Sequence, residues 1–162
     1  MSKGLRVGVG YDAHRLAPDR ALVLGGVTIP SEKGLAGHSD GDVAVHAIID
    51  ALLGAAALGD IGTHFPAGES RYEGINSLRL LSETRDLLSA NGWRVHNLDA
   101  TIVAEVPKLA PYIEQMRKTI EECLGTGPRA VSIKATTTDG LGFTGKGEGI
   151  AAHAVATIEP IQ

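Results

Sequence analysis

The chain has 162 residues, 43% of them hydrophobic, and a formal net charge of −4, which favours one ordinary folded domain and excludes a disordered chain. No charge-free apolar run approaches the ~20 residues of a membrane span, and the first residues lack the apolar core of a signal peptide. Basic runs are absent and there is one cysteine, Cys123, so we expect a cytoplasmic protein that has neither a membrane nor a nucleic acid as its partner.

Hydrophobic periodicity predicts both strands and helices along the chain. Alternation of apolar and polar residues predicts a first strand over 5–12, and a glycine pair predicts a short hairpin over 22–29. An almost wholly apolar stretch predicts a buried helix over 42–58, with Ser39 as its N-cap and Asp42 completing an acidic capping box. The later elements follow as a helix over 76–90, a strand over 97–106, a helix over 111–124, a strand over 131–136, a glycine-rich loop over 139–149 and a strand over 150–158.

This mixture of elements indicates the α/β (or α+β) class. We expect a single domain across 1–162, in which about three helices pack on one face of a four-stranded, mainly mixed sheet.

Three polar side chains interrupt the apolar helix at 42–58. Asp42, His46 and Asp50 stand four residues apart, so they form one stripe along the helix. A buried polar group without a partner costs ~1–3 kcal/mol, which means that this stripe needs partners. Asp50 could accept a hydrogen bond from the His46 ring or form a local pair.

A possible partner for this stripe lies at the end of the first strand. Asp12 and His14 are two residues apart and share one strand face, the face that Gly8 and Gly10 leave open. Together with His46 they form a set of two histidines and one carboxylate, the pattern of a catalytic zinc site with a free fourth position. Spacing alone does not separate this interpretation from that of hydrogen-bonded core histidines.

The glycine-rich loop suggests a second functional segment. Thr136, Thr137 and Thr138 precede it, Asp139 is its first residue and Lys146 lies within it, which provides hydroxyls, a carboxylate and a cation suited to a phosphate–Mg²⁺ assembly. An ordinary mobile loop is the alternative. The spacing of Gly140, Gly142 and Gly145 matches a dinucleotide-binding motif, but only 17 residues follow, too few for the rest of that fold.

Read together, these blocks closely resemble the 2-C-methyl-D-erythritol 2,4-cyclodiphosphate synthase family of the non-mevalonate isoprenoid pathway. The H-S-D-G-D-x-x-x-H block and the K-A-T-T-T block are the most specific, and the matching segments are Gly10 to Arg15, Leu24 to Val27, His38 to Ala47, Leu58 to Gly62, Pro107-Lys108, Lys134 to Thr138 and Leu141 to Ala151. The resemblance implies a homotrimer with an active site at each subunit interface. It also implies a cyclase that converts 4-diphosphocytidyl-2-C-methyl-D-erythritol 2-phosphate into the cyclic diphosphate and CMP.

The resemblance also assigns residues. Asp12, His14 and His46 match ligands of one Zn²⁺ per subunit, and Asp139 matches the ligand of a second ion, Mg²⁺ or Mn²⁺, although the family often has Glu there. His38 and Thr137 match the positions that stabilise the transition state. The resemblance implies that the segment 104–110 is the cytosine pocket of a neighbouring subunit. The remaining substrate contacts that it implies are Ser39, Asp60, Ile61, Gly62, Phe65 to Glu69, Ala104 to Ala110 with Pro107, Lys108 and Leu109, Thr136, Phe143 and Lys146.

Two other functions stay open at this point. A zinc-dependent phosphoesterase would use a metal-bound water and release free phosphate. A non-catalytic trimer that binds an isoprenoid diphosphate is the second, since the family has an apolar axial cavity, to which Tyr11, Lys146 and Glu148 would contribute.

Overall fold

The computed structural model describes residues 4–162. The strands are β1 (Arg6–Pro18), β2 (Leu22–Leu24), β3 (Val27–Ile29), β4 (Lys33–Leu35), β5 (Trp93–Val103), β6 (Val131–Thr136) and β7 (Gly149–Pro160). The helices are α1 (Val43–Ala56), α2 (Ile61–His64), α3 (Ser77–Ala90), α4 (Ile113–Leu124) and α5 (Gly142–Gly145). None of these helices is both long and apolar enough to cross a lipid bilayer.

One mixed sheet has the strand order β4-β1-β7-β5-β6, and β2 and β3 form a separate hairpin. Only β5 and β6 are parallel. The expected four-stranded sheet is therefore wrong by one strand, because β1 continues to Pro18 and its last residues pair with β4, where Leu16 lies opposite Leu35. The extension over 13–18 and the three residues of β4 carry little apolar alternation, so neither is evident from the pattern.

The start of β5 also differs from the expectation. The strand begins at Trp93 rather than at residue 97, and a register shift between Val95 and Asn97 interrupts its pairing with β7. A bulge of this kind changes which side chains face the core, so the apolar alternation is broken although the strand continues.

The helices cover one face of the sheet. Gly8 and Gly10 let α1 lie directly on β1, since a Cβ at Gly10 would be only 1.8 Å from the Ala47 carbonyl oxygen, and one at Gly8 only 2.0 Å from that of Ala51. The other face is uncovered, and Val9 on that face of β1 is 70% exposed.

The N-cap of α1 is Asp42, not Ser39 as expected. Asp42 Oδ1 accepts hydrogen bonds from the backbone N–H groups of Val45 and Gly25, and Oδ2 accepts one from Gly26. The carboxylate therefore caps the helix and fixes the β2–β3 turn at the same time. The hydroxyl of Ser39 is free from capping and points instead to His46.

Candidate metal centre and adjoining clefts

Asp12, His14 and His46 come together at the end of β1. Asp12 Oδ2 lies 2.8 Å from His14 Nε2 and 3.0 Å from His46 Nδ1, and the two ring nitrogens are 3.2 Å apart. Ligand atoms at ~2.0–2.1 Å from a tetrahedral zinc ion are about 3.3 Å from one another. The three atoms therefore need to spread by only a few tenths of an ångström, so this set fits a small divalent cation.

Within residues 4–162, no other group of three histidine, cysteine or acidic side chains has this arrangement. Its origin is local. Asp12 and His14 have the same strand parity as Gly8 and Gly10, and the contact of Gly10 with Ala47 brings the neighbouring His46 to the same place.

The other nitrogens of both rings are also hydrogen-bonded. His46 Nε2 lies 3.0 Å from Ser39 Oγ and 2.9 Å from Ser77 Oγ, and the His14 ring hydrogen-bonds the backbone of Ala36. Partners of this kind orient histidines that bind metals. Asp50 takes neither of the two roles considered for it, because its Oδ1 accepts the backbone N–H of Ile61 at 2.8 Å.

Hydrogen bonds within the cluster favour the ionised form of Asp12 even without a metal. Burial alone would raise the pKa of Asp12, but the hydrogen bonds from the His14 and His46 rings outweigh it and hold that pKa well below its usual range. The hydrogen bond to Asp12 in turn raises the pKa of His14. The Asp12 carboxylate is therefore ionised at neutral pH, the form in which a carboxylate can bind a metal.

The three residues open into what we name the metal cleft. Its other lining residues are His38, Ser39, Ile61, Gly62, Phe65, Ala67, Tyr72 and Leu80. Asp60 is the N-cap of α2 in the cleft wall and accepts from Thr63, and His38 Nε2 lies 3.2 Å from the carbonyl oxygen of Glu69. Tyr72 and Leu80 were not among the predicted site residues; the helical period marks Leu80 only as a core residue.

A second cleft lies across the sheet from Asp12 and His14. It is lined by Ala104, Glu105, Pro107, Lys108, Leu109, Ala110, Ala135, Thr136 and Thr137. Ala13 pairs with Ala151, Ala151 with Val103, and Val103 with Thr136, so three strand spacings, about 14 Å, separate Ala13 from Thr136. One chain therefore divides the predicted site residues between two clefts.

The residues of the glycine-rich loop stay apart from the metal cluster. Asp139 has a left-handed backbone with φ of 53° and accepts a hydrogen bond from Thr137 Oγ1 at 3.3 Å. It is not part of the Asp12 cluster. Phe143 belongs to the short helix α5 and is 42% exposed, and Lys146 is the C-cap of this helix.

An α/β fold with three potential metal ligands clustered at the edge of a cleft defines a candidate metal-binding domain. The YgbB family model matches residues 5–159. The chain belongs to this family, that of the 2-C-methyl-D-erythritol 2,4-cyclodiphosphate synthases, and the family indicated by its motifs is confirmed.

Two curated relatives show how close this relationship is. The 2-C-methyl-D-erythritol 2,4-cyclodiphosphate synthase of Alkaliphilus oremlandii is 60% identical over 154 residues, which cover 95% of this chain and 98% of the relative. That of Syntrophomonas wolfei is 61% identical over 155 residues, with 96% and 99% coverage.

Solved structures agree with the fold. The CDP complex of IspF from Plasmodium falciparum has a TM-score of 0.86 at 33% identity, and the match covers 98% of both chains. The bifunctional IspDF from Campylobacter jejuni has a TM-score of 0.94 at 37% identity. The match covers 98% of this chain but only 43% of that longer protein.

Proposed function

We propose that this chain converts 4-diphosphocytidyl-2-C-methyl-D-erythritol 2-phosphate into 2-C-methyl-D-erythritol 2,4-cyclodiphosphate and CMP. The observation that carries the proposal is the Asp12–His14–His46 cluster at the edge of the metal cleft, in a chain about 60% identical to curated synthases. We further propose one catalytic domain across 1–162 that works in the cytoplasm.

The proposed metal ligands are Asp12, His14 and His46 for Zn²⁺, with Asp139 and substrate oxygens for Mg²⁺ or Mn²⁺. When bound, these ions supply positive charge that offsets the repulsion between two anionic phosphates and polarises the phosphorus under attack. The attacking phosphate oxygen is already ionised at neutral pH, so the protein needs no general base.

The chain's own side chains then hold the substrate. His38 and Ser39, on the loop before α1, bind its terminal phosphate, and the walls around Asp60 to Gly62 and Phe65 to Glu69 surround the sugar. Thr136, Thr137, Phe143 and Lys146 contact the diphosphate, and the cleft at Ala104 to Ala110, which includes Lys108, takes the cytosine. Holding both ends of one molecule in line is worth up to ~7–11 kcal/mol of the barrier.

A homotrimer with shared sites is the second part of the proposal. In one chain the metal cleft and the cytosine cleft are separate, which supports a site that pairs the metal cleft of one subunit with the cytosine cleft of its neighbour. The uncovered apolar face of β1 and β7 supports association through that face, and the C2-methyl sugar lies between the two halves.

The direct test is incubation of the pure protein with the cytidyl substrate, Zn²⁺ and Mg²⁺, followed by phosphorus NMR. We expect CMP and a cyclic diphosphate. Free phosphate would instead indicate a zinc phosphoesterase. No turnover together with binding of an isoprenoid diphosphate, near the exposed Tyr11, would indicate a binding trimer. His46→Ala is expected to hold well below one zinc per chain, and full zinc retention contradicts the ligand assignment.

Subunit mixing tests the shared site. His14→Ala damages the metal cleft and Lys108→Ala damages the cytosine cleft. Trimers reassembled from the two inactive variants are expected to regain part of the activity, because some interfaces then join two intact halves. No recovery after proven subunit exchange would contradict a site shared between subunits.

A further inference from the structure

A hydrogen-bond chain through the buried Ser77 and the half-buried Asp40 leads away from His46. Ser77, the first residue of α3, is fully buried, and its Oγ lies 2.9 Å from His46 Nε2. The same hydroxyl donates to Asp40 Oδ1 at 2.5 Å. Asp40 is itself fixed, because its Oδ2 accepts the backbone N–H of Ser77 and its Oδ1 that of Asp42.

The direction of these hydrogen bonds follows from counting protons. A carboxylate only accepts, and a serine hydroxyl has one proton to donate. Since the Ser77 proton is committed to Asp40, Ser77 Oγ acts as an acceptor toward His46. A hydrogen bond between them therefore requires the proton on His46 Nε2, the tautomer in which Nδ1 has a bare lone pair on the side of Asp12 and His14.

The contact with Asp12 favours the other tautomer of His46, so the direction of the Ser77 hydrogen bond matters for metal binding. Asp12 Oδ2 lies 3.0 Å from His46 Nδ1 and, without a metal, favours the opposite tautomer with its proton on Nδ1. That tautomer cannot bind a metal through Nδ1. Ser39 Oγ also lies 3.0 Å from His46 Nε2, but its proton is not committed to a carboxylate. Ser39 can therefore accept a hydrogen bond from a protonated Nε2 or donate one to a bare Nε2. It does not select either tautomer.

We propose that Asp40 and Ser77 are positioning residues that keep the His46 proton on Nε2, so that Nδ1 is ready to bind the metal. This proposal rests on the metal site of the proposed function and adds to it two residues outside both clefts. Neither residue touches the substrate; they act through His46. Outer partners of metal-binding histidines change metal affinity by ~10–100-fold when they are removed.

Two pairs of variants test the proposal with zinc alone as the probe. Ser77→Ala removes the relay hydroxyl, and its control, Thr84→Val, removes another fully buried hydroxyl from the same helix, one that donates to the carbonyl oxygen of Leu80. Asp40→Asn weakens the acceptor of the Ser77 proton. Its control, Asp50→Asn, removes one negative charge near His46 and keeps the oxygen that accepts from Ile61.

The measurements are zinc affinity, from competition with a chromophoric chelator, and the His46 tautomer in the zinc-free protein, from ¹⁵N NMR of the imidazole ring. We expect Ser77→Ala and Asp40→Asn to bind zinc ~10–100-fold more weakly and to shift the proton toward Nδ1. Both controls are expected to match the wild type in affinity and tautomer. Ser77→Ala deletes a single atom, so it keeps the test open if Asp40→Asn fails to fold.

Several outcomes would overturn the proposal. Wild-type zinc affinity and an unchanged tautomer in Ser77→Ala would show that the relay does not act on His46. Equal losses in Asp40→Asn and Asp50→Asn would assign the effect to charge alone. A wild type that binds no zinc would refute the proposed metal site, whereas the tautomer of the zinc-free protein would still decide the relay.

Discussion

The substitution Gly10→Ala tests how closely the metal centre depends on the contact between α1 and β1. A Cβ at residue 10 would lie 1.8 Å from the Ala47 carbonyl oxygen, with two more backbone atoms at 2.8 Å. Backbone atoms cannot rotate away as a side chain can. The helix therefore has to retreat by about 1.6 Å to reach the 3.4 Å of an ordinary contact.

That retreat separates ligands that belong to different elements. His46 moves with α1, whereas Asp12 and His14 stay on β1, so the 3.0 Å between Asp12 Oδ2 and His46 Nδ1 opens to at most about 4.6 Å. Metal–ligand distances vary by only ~0.2 Å. We expect zinc to be lost, turnover to fall at least ~100-fold, and the overpacked interface to cost ~1–3 kcal/mol of stability.

Chelator competition, a turnover assay and thermal denaturation by circular dichroism measure these three effects. Gly54→Ala is the matched control, because it adds the same methyl group to α1 and its nearest neighbour, the Val9 carbonyl oxygen, is 4.0 Å away. This control is expected to stabilise the helix by ~0.5–1 kcal/mol and to leave zinc binding unchanged. Wild-type zinc affinity and stability in Gly10→Ala would refute the reasoning.

Three further predictions concern other parts of the molecule. Asp42→Asn turns an amide N–H₂ group toward a backbone N–H and is expected to cost ~1–3 kcal/mol in chemical denaturation; unchanged stability would show that the cap is dispensable. Val9→Glu introduces charge on the uncovered sheet face and is expected to give monomers in sedimentation, whereas an intact trimer would exclude this face as the interface. Burial raises the pKa of the Cys123 thiol above its ordinary value, so we expect alkylation at pH 8 to be slower in the folded protein than in urea; equal rates would contradict this.

Much of the fold follows from residue patterns that have one dominant cause. Leu98, Ala100 and Ile102 alternate because only one face of β5 meets the core, and the apolar circumference of α1 reflects burial on all sides. The pairing of Asp12 with His14 was predictable for the same reason, since strand parity puts them on one face. The motif at 38–46 then adds His46 as the third proposed ligand.

The remaining features depend on contacts between segments far apart in sequence. The Ser39 cap was wrong because Asp42 also receives N–H groups from the turn at Gly25 and Gly26, which no local pattern reveals. Ser77 reads as an ordinary residue at the start of a helix; only the fold brings it to His46, 31 positions away. The two-cleft arrangement likewise depends on the strand order of the sheet.

The position of Trp93 has a practical consequence for spectroscopy. This single tryptophan is 6% exposed, lies under the Arg6 guanidinium at 5.4 Å, and pairs with Pro160 at the end of β7. Asp12 pairs with Ala152, eight residues and about 27 Å away along the same strand. Tryptophan emission will therefore follow unfolding of the sheet but not occupancy of the proposed metal site. Unfolding curves of the zinc-loaded and zinc-free proteins that are measured by Trp93 emission can therefore be compared directly, because the metal does not quench this tryptophan.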